Sequence, residues 1–361
     1  MTWQTTTTGK DGGNTPTTIG SAHTGFSALH GFKTEYGSGL FNGLGDRLGA
    51  TVVIHADKPW DVLQHSYGRA PVMAIEANDL SPAQLDEWAK SVPDDVTIVG
   101  VGGGTAMDVA KWVHWRRQLP LVQVPTLASV DACFTRMSAL RDQNKVRYEG
   151  DAVPDDVVLV DYAILQAAPS AFISAGIGDV LSCHTALADW RFAVSKGESH
   201  PWNDQAAGAS LRFVDGLEKS ASGIKDQSEE GIRSLMELHR EIGWLCHDLQ
   251  HARFEEGSEH FFAYAFEQVT GRTILHGELV SLGVLIMTAI FDNDYARVKR
   301  IITACGTRHG LDELGIKWEE IEATLKILQK FSIDGGYWYS YAHSRNFGEK
   351  EIEIARKALD F

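Results

Sequence analysis

The sequence predicts an α/β domain with a parallel sheet, followed by an all-helical domain. Two observations support this prediction. Short apolar runs typical of buried strands alternate with amphipathic helical stretches from about residue 32 to residue 165. Beyond residue 165 the strand signals fade, and long helical patterns interrupted by glycines follow. Because strands that alternate with helices usually form parallel sheets covered on both faces, we expect such a sheet in the first half.

Each predicted strand is a short run rich in apolar and β-branched residues. The runs are Ala50–His55, Pro71–Ile75, Val96–Val99, Leu121–Val124 and Val157–Asp161. Between them, Ser81 is expected to cap a helix whose first residue is Pro82. We place a domain boundary near Leu165. The resulting division is a disordered tail over 1–27, a dinucleotide-binding α/β domain over 28–165 and a helical domain over 166–361, with the cleft between domains as the expected ligand site.

Composition excludes several classes of protein. The chain has 361 residues, 43% of them apolar, and a formal charge of -15, which disfavours binding to nucleic acid or anionic lipid. Its longest apolar stretch, Leu279–Phe291, is shorter than the roughly 20 residues that a membrane span needs. The four cysteines form no CxxC pair, and the Thr-rich start lacks the pattern of a secretory signal. We therefore expect a cytoplasmic protein without nucleic-acid or membrane partners.

A glycine-rich loop is the first candidate binding site. The strand Val96–Val99 leads into Gly100–Lys111, which contains three adjacent glycines, Gly102–Gly104. Such glycines let the backbone approach a pyrophosphate, and the first N–H groups of the following helix bind its charge. The spacing matches neither GxGxxG nor GxxxxGK[ST]. A turn that serves only helix packing is the alternative, although the position at a strand's carboxyl end favours a cofactor site.

Asp57, just beyond the first predicted strand, has two interpretations. Its carboxylate could accept hydrogen bonds from an adenosine ribose and disfavour a 2′-phosphate, which points to NAD over NADP. It could equally cap the following helix.

Three residues form a candidate metal site. Asp179 follows the glycines of GIGD at the start of a helix, where the helix dipole favours a carboxylate. His260 and His276 each resemble buried core histidines when considered alone. Together, one oxygen and two nitrogen ligands suit a catalytic Zn²⁺ or Fe²⁺ with an open coordination position. His184, five residues after Asp179, is expected to border the same cavity or to pack in the core.

Five motifs in a fixed order resemble a known superfamily. GGGTAMDVAK, PTLASVD, GIGD, GSEH and LHGE occur in this order. Together they are similar to the dehydroquinate synthase-like superfamily over roughly residues 35 to 290. The glycerol-1-phosphate dehydrogenase and glycerol dehydrogenase branches, near the iron-containing alcohol dehydrogenases, resemble the chain most. The resemblance implies a Rossmann-like domain that binds NAD or NADP, a helical domain that holds one divalent metal, Zn or Fe, and a homo-oligomer.

The resemblance also implies roles for individual residues. Asp179, His260 and His276 would be the metal ligands, and Asp131 would hold a substrate hydroxyl, which makes these four the expected catalytic residues. Together with Asp57, the expected cofactor contacts are Gly102, Gly103, Gly104, Thr105, Asp108, Lys111, Thr126 and Ser129.

The sequence differs from this pattern in three places. Thr105 occupies a loop position where relatives often have Lys or Ser. Tyr264, four residues after His260 on the same helical face, replaces a His or Asn that relatives present to the substrate. The tail Asp334–Tyr341 lacks the basic ending associated with the glycerol-1-phosphate branch. A phosphorylated polyol, a free polyol and another small hydroxy-carbonyl compound are therefore all candidate substrates, with Tyr264 and His184 as further candidate substrate contacts.

Two other functions are compatible with such a fold. A metal-dependent cyclase resembling dehydroquinate synthase would use NAD transiently and release phosphate, but the resemblance associates that class with Glu at the position of Asp179. A non-catalytic NAD-binding protein should have lost at least one metal ligand, and all three are present. We therefore predict a metal-dependent NAD(P)-linked dehydrogenase, which transfers hydride between the nicotinamide and its substrate.

Overall fold

The computed structural model describes residues 33–142, 145–152, 157–272 and 274–360. The tail over residues 1–27, for which we expect disorder, lies outside the described residues. The described part of the chain forms a parallel sheet, an antiparallel hairpin and a series of helices.

The strands form two sheets. They are β1 (Lys33–Gly37), β2 (Thr51–His55), β3 (Met73–Glu76), β4 (Thr97–Gly102), β5 (Leu121–Pro125), β6 (Ser138–Asp142), β7 (Lys145–Glu149) and β8 (Val157–Asp161). The six-stranded sheet has the order β1-β8-β5-β4-β2-β3, and all its neighbours run parallel. β6 and β7 pair antiparallel as a hairpin. The predicted parallel α/β sheet is confirmed.

The helices cover the sheet and build the second half of the chain. They are α1 (Leu44–Leu48), α2 (Asp57–Leu63), α3 (Pro82–Ser91), α4 (Gly104–Arg117), α5 (Tyr162–Ala167), α6 (Ser170–Ala175), α7 (Ile177–Lys196), α8 (Asp204–Lys225), α9 (Glu229–Leu249), α10 (Ser258–Thr270), α11 (His276–Phe291), α12 (Tyr295–Cys305), α13 (Leu311–Leu314), α14 (Trp318–Gly335), α15 (Tyr341–Ser344) and α16 (Glu349–Ala358), with a 3₁₀ turn at Ala132–Phe134. No strand follows β8 among the described residues. The predicted all-helical second half is confirmed, whereas the exact boundary near Leu165 stays a prediction.

The predicted strands correspond to β2, β3, β4, β5 and β8, with ends that differ by up to three residues. α3 begins at Pro82 after Ser81, as predicted, although the Ser81 hydroxyl accepts no capping hydrogen bond. The sequence did not predict β1 or the β6–β7 hairpin. β1 lies at the sheet edge with exposed and half-buried residues, so it lacks the apolar run that marks a buried strand.

Central strands and central helices form the core. Val52, Ile54 and Ile98 point to one face of the sheet, and Val53 and Val99 point to the other; all five are fully buried. In the helical half, α11 packs along α7 and α10, and nearly all of its side chains are buried. A helix such as α11, which carries apolar side chains on all its faces, is typical of the interior of a domain.

One described helical stretch, Ser170–Lys196, is apolar and long enough to meet the criterion for a membrane span. Of its most apolar window, 78% is buried inside the fold, and buried core helices pass the same test. It is therefore weak evidence for a span. The cytoplasmic location stays a prediction.

Candidate metal and cofactor site

Asp179, His260 and His276 come together where α7, α10 and α11 begin. The Oδ1 atom of Asp179 lies 3.8 Å from Nε2 of His260 and 3.6 Å from Nε2 of His276. One ligand atom from each residue lies within 4.8 Å of the other two. The structure thus brings Asp179 together with two histidines that lie 81 and 97 positions further along the chain.

Asp179 Oδ1 shows that these residues fit a metal ion. This oxygen is buried and has no hydrogen-bond partner, although a buried polar atom without a partner is costly. Asp179 is also no helix cap, because α7 begins at Ile177 with Gly176 as its N-cap residue. A carboxylate and two imidazoles that face one point, with one orphaned oxygen, are the donor set of a divalent transition metal.

Glycines determine how closely α7 and α11 approach. A Cβ atom added to Gly178 would lie 2.3 Å from the carbonyl oxygen of Gly277, and one added to Gly277 would lie 1.9 Å from that of Ala175. Since neither position has room for a side chain, the backbones of the two first turns touch. Gly178 precedes Asp179 and Gly277 follows His276, so this contact brings the two ligands together. The glycines of GIGD and LHGE therefore have a packing role.

Glu259 orients one of the ligands. Its Oε1 atom lies 3.0 Å from Nδ1 of His260 and accepts a hydrogen bond of 2.7 Å from the backbone N–H of Gly257. Glu259 is fully buried. A carboxylate on Nδ1 holds that nitrogen protonated and leaves Nε2 free, which is the usual arrangement behind a histidine ligand.

The electrostatics of the group favour a bound cation. Burial acts to lower the pKa of His260, but the neighbouring carboxylates of Asp179 and Glu259 raise it well above its ordinary value. Burial lowers the pKa of His276 to about 4, and the positive charges of His260 and Arg141 act in the same direction. The two carboxylates therefore stabilise positive charge at His260, and the same field would stabilise a divalent ion.

The glycine loop forms a small cavity next to the sheet. β4 ends at Gly102 and α4 begins at Gly104, so the first N–H groups of α4 face the carboxyl edge of the sheet. The residues that line this shallow pocket include Gly102, Gly103, Gly104, Pro125 and Leu127. A Cβ atom on Gly102 would lie 2.7 Å from that of Ala106, so a side chain there would clash with α4.

The remaining predicted cofactor residues occupy different environments. Thr126 follows β5 beside this loop, and its buried Oγ1 atom lacks a hydrogen-bond partner. A bound ligand would satisfy this hydroxyl group. Thr105 and Asp57 are exposed, and Ser129 is half-buried. Asp57 is the first residue of α2 and follows Ala56 at the end of β2, whose neighbour in the sheet is β4. It lies at the same edge of the sheet as the glycines.

Asp108 and Lys111 bond to each other and to the hairpin. Both are buried, with 2.9 Å between Lys111 Nζ and Asp108 Oδ1. Lys111 also donates to Thr135 Oγ1 at 2.8 Å and to the Met137 carbonyl at 2.5 Å. These contacts give Asp108 and Lys111 a structural role in fixing the chain ahead of β6. They provide no support for the expected cofactor contacts of these two residues.

The loop after β5 carries Asp131 to the metal group. Its backbone packs on the glycines of α7, since a Cβ atom on Gly176 would lie 1.7 Å from the carbonyl oxygen of Ala128. Burial, together with the negative charge of Asp179, raises the pKa of Asp131 to about 7, while the charge of Lys111 acts in the opposite direction. Asp131 is thus a half-buried carboxyl group within the field of the candidate metal ligands.

Aromatic residues form one wall of the site. The Tyr264 ring stacks on the His276 ring with 6.2 Å between centroids and on the Tyr337 ring at 5.7 Å. The Tyr264 hydroxyl lies 3.5 Å from that of Tyr148 on the hairpin and donates to Glu256 Oε1 at 3.3 Å. Tyr264 therefore lies beside the candidate metal group, and its role as a substrate contact stays a prediction.

His184 does not join this group. Its Nε2 atom lies 2.9 Å from the backbone carbonyl of Asn293, just beyond the carboxyl end of α11, whereas His276 begins that helix. The expectation that His184 borders the metal cavity is therefore not supported. The offset of five residues rotates its side chain well away from that of Asp179, and a carbonyl group already occupies its ring nitrogen.

Sequence reasoning missed several residues of the site. Glu255 carries a carboxyl group whose pKa burial raises well above its ordinary value, with the charge of Asp131 acting in the same direction, and the Cys246 thiol donates to it at 2.7 Å. Glu256, Glu259, Arg141 and Tyr148 were missed as well. A pair of acidic residues directly before GSEH was the available signal for Glu255 and Glu256, since acidic residues are rarely buried without a reason.

Comparisons with known proteins agree with this geometry. The profile of the family described as iron-containing alcohol dehydrogenase matches residues 63–169. A glycerol-1-phosphate dehydrogenase (NAD(P)+) from Sulfolobus acidocaldarius is 31% identical over 71% of this chain and 72% of its own length. The enzyme of the same name from Hyperthermus butylicus is 32% identical over 68% of this chain and 71% of its own. The chain belongs to the iron-containing alcohol dehydrogenase family.

Solved structures of other proteins share the fold. A glycerol dehydrogenase from Schizosaccharomyces pombe matches with a TM-score of 0.69 at 23% identity, over 92% of this chain and 89% of that one. A probable glycerol dehydrogenase from Sinorhizobium meliloti matches with a TM-score of 0.68, also at 23% identity, over 92% and 98% of the two chains. The predicted resemblance to the dehydroquinate synthase-like superfamily, and its fold of an α/β part followed by a helical part, are confirmed.

Proposed function

We propose that this protein is a metal-dependent, NAD(P)-linked dehydrogenase that interconverts glycerol 1-phosphate, or a closely related phosphorylated polyol, with its carbonyl counterpart. The observation that carries this proposal is the group of Asp179, His260 and His276. This group lies next to the loop that follows β5, and the same loop lines the pocket at the glycine-rich loop. The names of the relatives described above support the phosphorylated substrate. The names of the two solved structures keep free glycerol as the alternative.

The metal ion would be held by Asp179, His260 and His276. When bound, it would supply a Lewis acid that polarises an alcohol or carbonyl oxygen. One oxygen and two nitrogen ligands suit either Zn²⁺ or Fe²⁺, and we propose that the resident ion is one of these two. Metal analysis of the purified protein by mass spectrometry identifies which.

The chain's own residues would bind and orient the two reactants. Gly102, Gly103 and the first turn of α4 would bind the pyrophosphate of the dinucleotide, and Thr126 Oγ1 would give it a hydrogen bond. Asp131 would accept a hydrogen bond from a substrate hydroxyl and so fix the orientation of the diol. Tyr264 would cover the substrate from the hairpin side and exclude water. We also propose a homo-oligomer, as the resemblance implies.

Removal of one ligand tests the proposal directly. His260→Ala and His276→Ala are expected to lower bound metal and turnover by at least about 100-fold each, because two ligands do not retain a catalytic ion. Binding of NAD, followed by nucleotide fluorescence, should stay within about threefold of wild type. His184→Ala is the matched control, since His184 lies outside the group. Full activity of either ligand variant after treatment with a chelator would refute the metal assignment.

Absorbance at 340 nm tests the reaction itself. Wild-type enzyme with glycerol 1-phosphate and either NAD or NADP should produce a net increase of reduced nucleotide. A cyclase that uses NAD transiently would give no net change, so the same trace separates the two functions. Glycerol in parallel reactions distinguishes the phosphorylated substrate from the free polyol.

A further inference from the structure

The β6–β7 hairpin carries an arginine that neither the motifs nor the proposed roles account for. Antiparallel pairing sets Ala139 opposite Tyr148 and Arg141 opposite Val146. Because side chains alternate between the faces of a strand, these four residues share one face of the hairpin. Arg141 is therefore the diagonal neighbour of Tyr148 on that face.

This face of the hairpin is directed toward the metal group. The Tyr148 hydroxyl lies 3.5 Å from that of Tyr264, whose ring stacks on the ring of the ligand His276. On the opposite face, the Ser138 hydroxyl donates to the Asp108 carbonyl on α4 at 2.8 Å, and Leu140 is fully buried. The hairpin thus packs on α4 with one face and presents Arg141 to the cleft with the other.

Electrostatic effects agree with the direction of this face. Burial raises the pKa of Glu267 on α10 and of Tyr337 after α14, and Arg141 opposes both shifts. The Tyr337 ring stacks on the Tyr264 ring at 5.7 Å, and Glu267 follows Tyr264 by three residues on α10. The charge of Arg141 thus acts on groups that surround Tyr264, the residue that the hairpin contacts through Tyr148.

Arg141 is available for an anion. Its side chain is exposed, and no carboxylate pairs with it among the residues that the structure describes. Lys111, another cation near the site, already bonds to Asp108, Thr135 and the Met137 carbonyl. The inner part of the site holds Asp131, Asp179 and Glu255, and the whole chain carries a charge of -15. An anionic group of a substrate would therefore be favoured at a distance from these carboxylates, beside a separate cation.

We propose that Arg141 binds the phosphate of a phosphorylated polyol whose hydroxyl end lies at Asp131 and the metal group. This inference rests on the proposed function and adds the residue that selects a phosphomonoester over a neutral polyol. A guanidinium suits the role because its parallel N–H groups match two phosphate oxygens. The cleft would then be bipolar, with a cation at the hairpin and carboxylates at the inner end. Arg141 is a specificity residue that touches the substrate.

The test compares Arg141→Ala, Arg141→Lys and Arg147→Ala in the full-length, metal-loaded protein. Arg147 is an exposed arginine of the same hairpin on the opposite face, so it is the matched control. We expect Arg141→Ala to raise KM for glycerol 1-phosphate about 10- to 100-fold, as for the loss of a charge-assisted pair, with kcat within about threefold. Arg141→Lys should recover part of the loss. For glycerol, kcat/KM should stay within about twofold in every variant.

Inorganic phosphate provides a readout that needs no turnover of the phosphorylated substrate. Titration calorimetry should show phosphate binding to wild type and to Arg147→Ala, and binding at least about 10-fold weaker to Arg141→Ala. Equal KM changes for glycerol and glycerol 1-phosphate, or unchanged phosphate binding, would overturn the role of Arg141. Glycerate, which carries a carboxylate in place of the phosphate, is a further probe in the same assays. If Arg141→Ala raised KM for glycerate but not for glycerol 1-phosphate, the proposal of a phosphomonoester would be overturned in favour of a carboxylate. If wild type reduced no nucleotide with any polyol, the proposed function would fail, while the phosphate titration would still test Arg141.

Discussion

Glu259 offers a sharp test of the metal site, because it acts through His260 without being a ligand itself. Its Oε1 atom lies 3.0 Å from His260 Nδ1 and accepts a second bond from the Gly257 N–H at 2.7 Å. Glu259→Gln keeps an acceptor oxygen at that position but removes the charge. Glu259→Ala removes the acceptor, so Nδ1 loses its partner and the ring loses its fixed tautomer.

Loss of such a supporting carboxylate typically weakens metal affinity 10- to 100-fold. We expect about 10-fold for Glu259→Gln and about 100-fold for Glu259→Ala, which correspond to about 1.4 and 2.7 kcal/mol of binding free energy. The larger value for Ala is expected because Glu259 is fully buried and no water replaces it easily.

Competition of the protein with a chromogenic zinc chelator at pH 7.5 measures this affinity. Glu267→Gln, a half-buried glutamate two turns further along α10, is the matched control and should bind zinc like wild type. Circular dichroism on each variant checks that the fold is retained. Wild-type zinc affinity in a folded Glu259→Ala protein would refute the reasoning, since His260 would then need no partner on Nδ1.

Three further predictions concern packing, protonation and stability. Gly277→Ala should abolish metal retention, because the added Cβ atom would lie 1.9 Å from the Ala175 carbonyl oxygen. Gly208→Ala in α8 is the control: its Cβ atom would lie 3.5 Å from the flexible end of Arg212, so the change should raise the unfolding free energy by about 0.5 to 1 kcal/mol. Metal content and urea unfolding compare the two variants, and a metal-replete Gly277→Ala protein would contradict the role of the glycine contact. Glu255→Gln should keep kcat within about threefold of wild type, because burial raises the pKa of this carboxyl group well above its usual range and a neutral amide resembles the protonated acid. A loss of kcat of about 100-fold in steady-state assays would mean that the charged carboxylate is required. Burial, with the charges of His200 and Arg253, lowers the pKa of His251 to about 4, so between pH 6.5 and 4 the unfolded chain binds this proton and the folded protein does not. Stability must therefore fall as the pH falls through that window. In urea unfolding, His251→Gln should lose about 2 kcal/mol less unfolding free energy than wild type between pH 7.5 and 5, and equal losses in both proteins would show that His251 is not responsible.

Local patterns in the sequence predict much of the fold. Each buried strand of the sheet is a short apolar run, and period and length identify such runs without reference to the rest of the chain. β1 and the hairpin contain no such run, because their residues are largely polar or half-buried. β1 pairs with β8, which lies far away in the sequence, and β6 pairs with β7 through a turn. The contacts that stabilise these strands therefore cannot be identified from the sequence of each strand alone.

The candidate metal ligands could be proposed from the sequence because they lie in motifs at helix starts. Asp179 and His276 carry neighbouring glycines, and the structure explains these glycines by the contact between α7 and α11. His184 illustrates the limit of such reasoning. Its spacing from Asp179 is compatible with the same cavity, but only the packing of α11 decides which direction the ring faces.

The amino-acid sequence by itself determined the buried strands of the sheet, the helical second half, the glycine loop and the choice of candidate metal ligands, because these depend on short segments and local residue types. Only the tertiary structure decided which charged groups share a site. Glu255 and Glu259 lie near the candidate ligands, and the hairpin that carries Arg141 contacts Tyr264 beside them. Burial and charge at a site depend on contacts between distant segments, and these contacts exist only once the chain has folded.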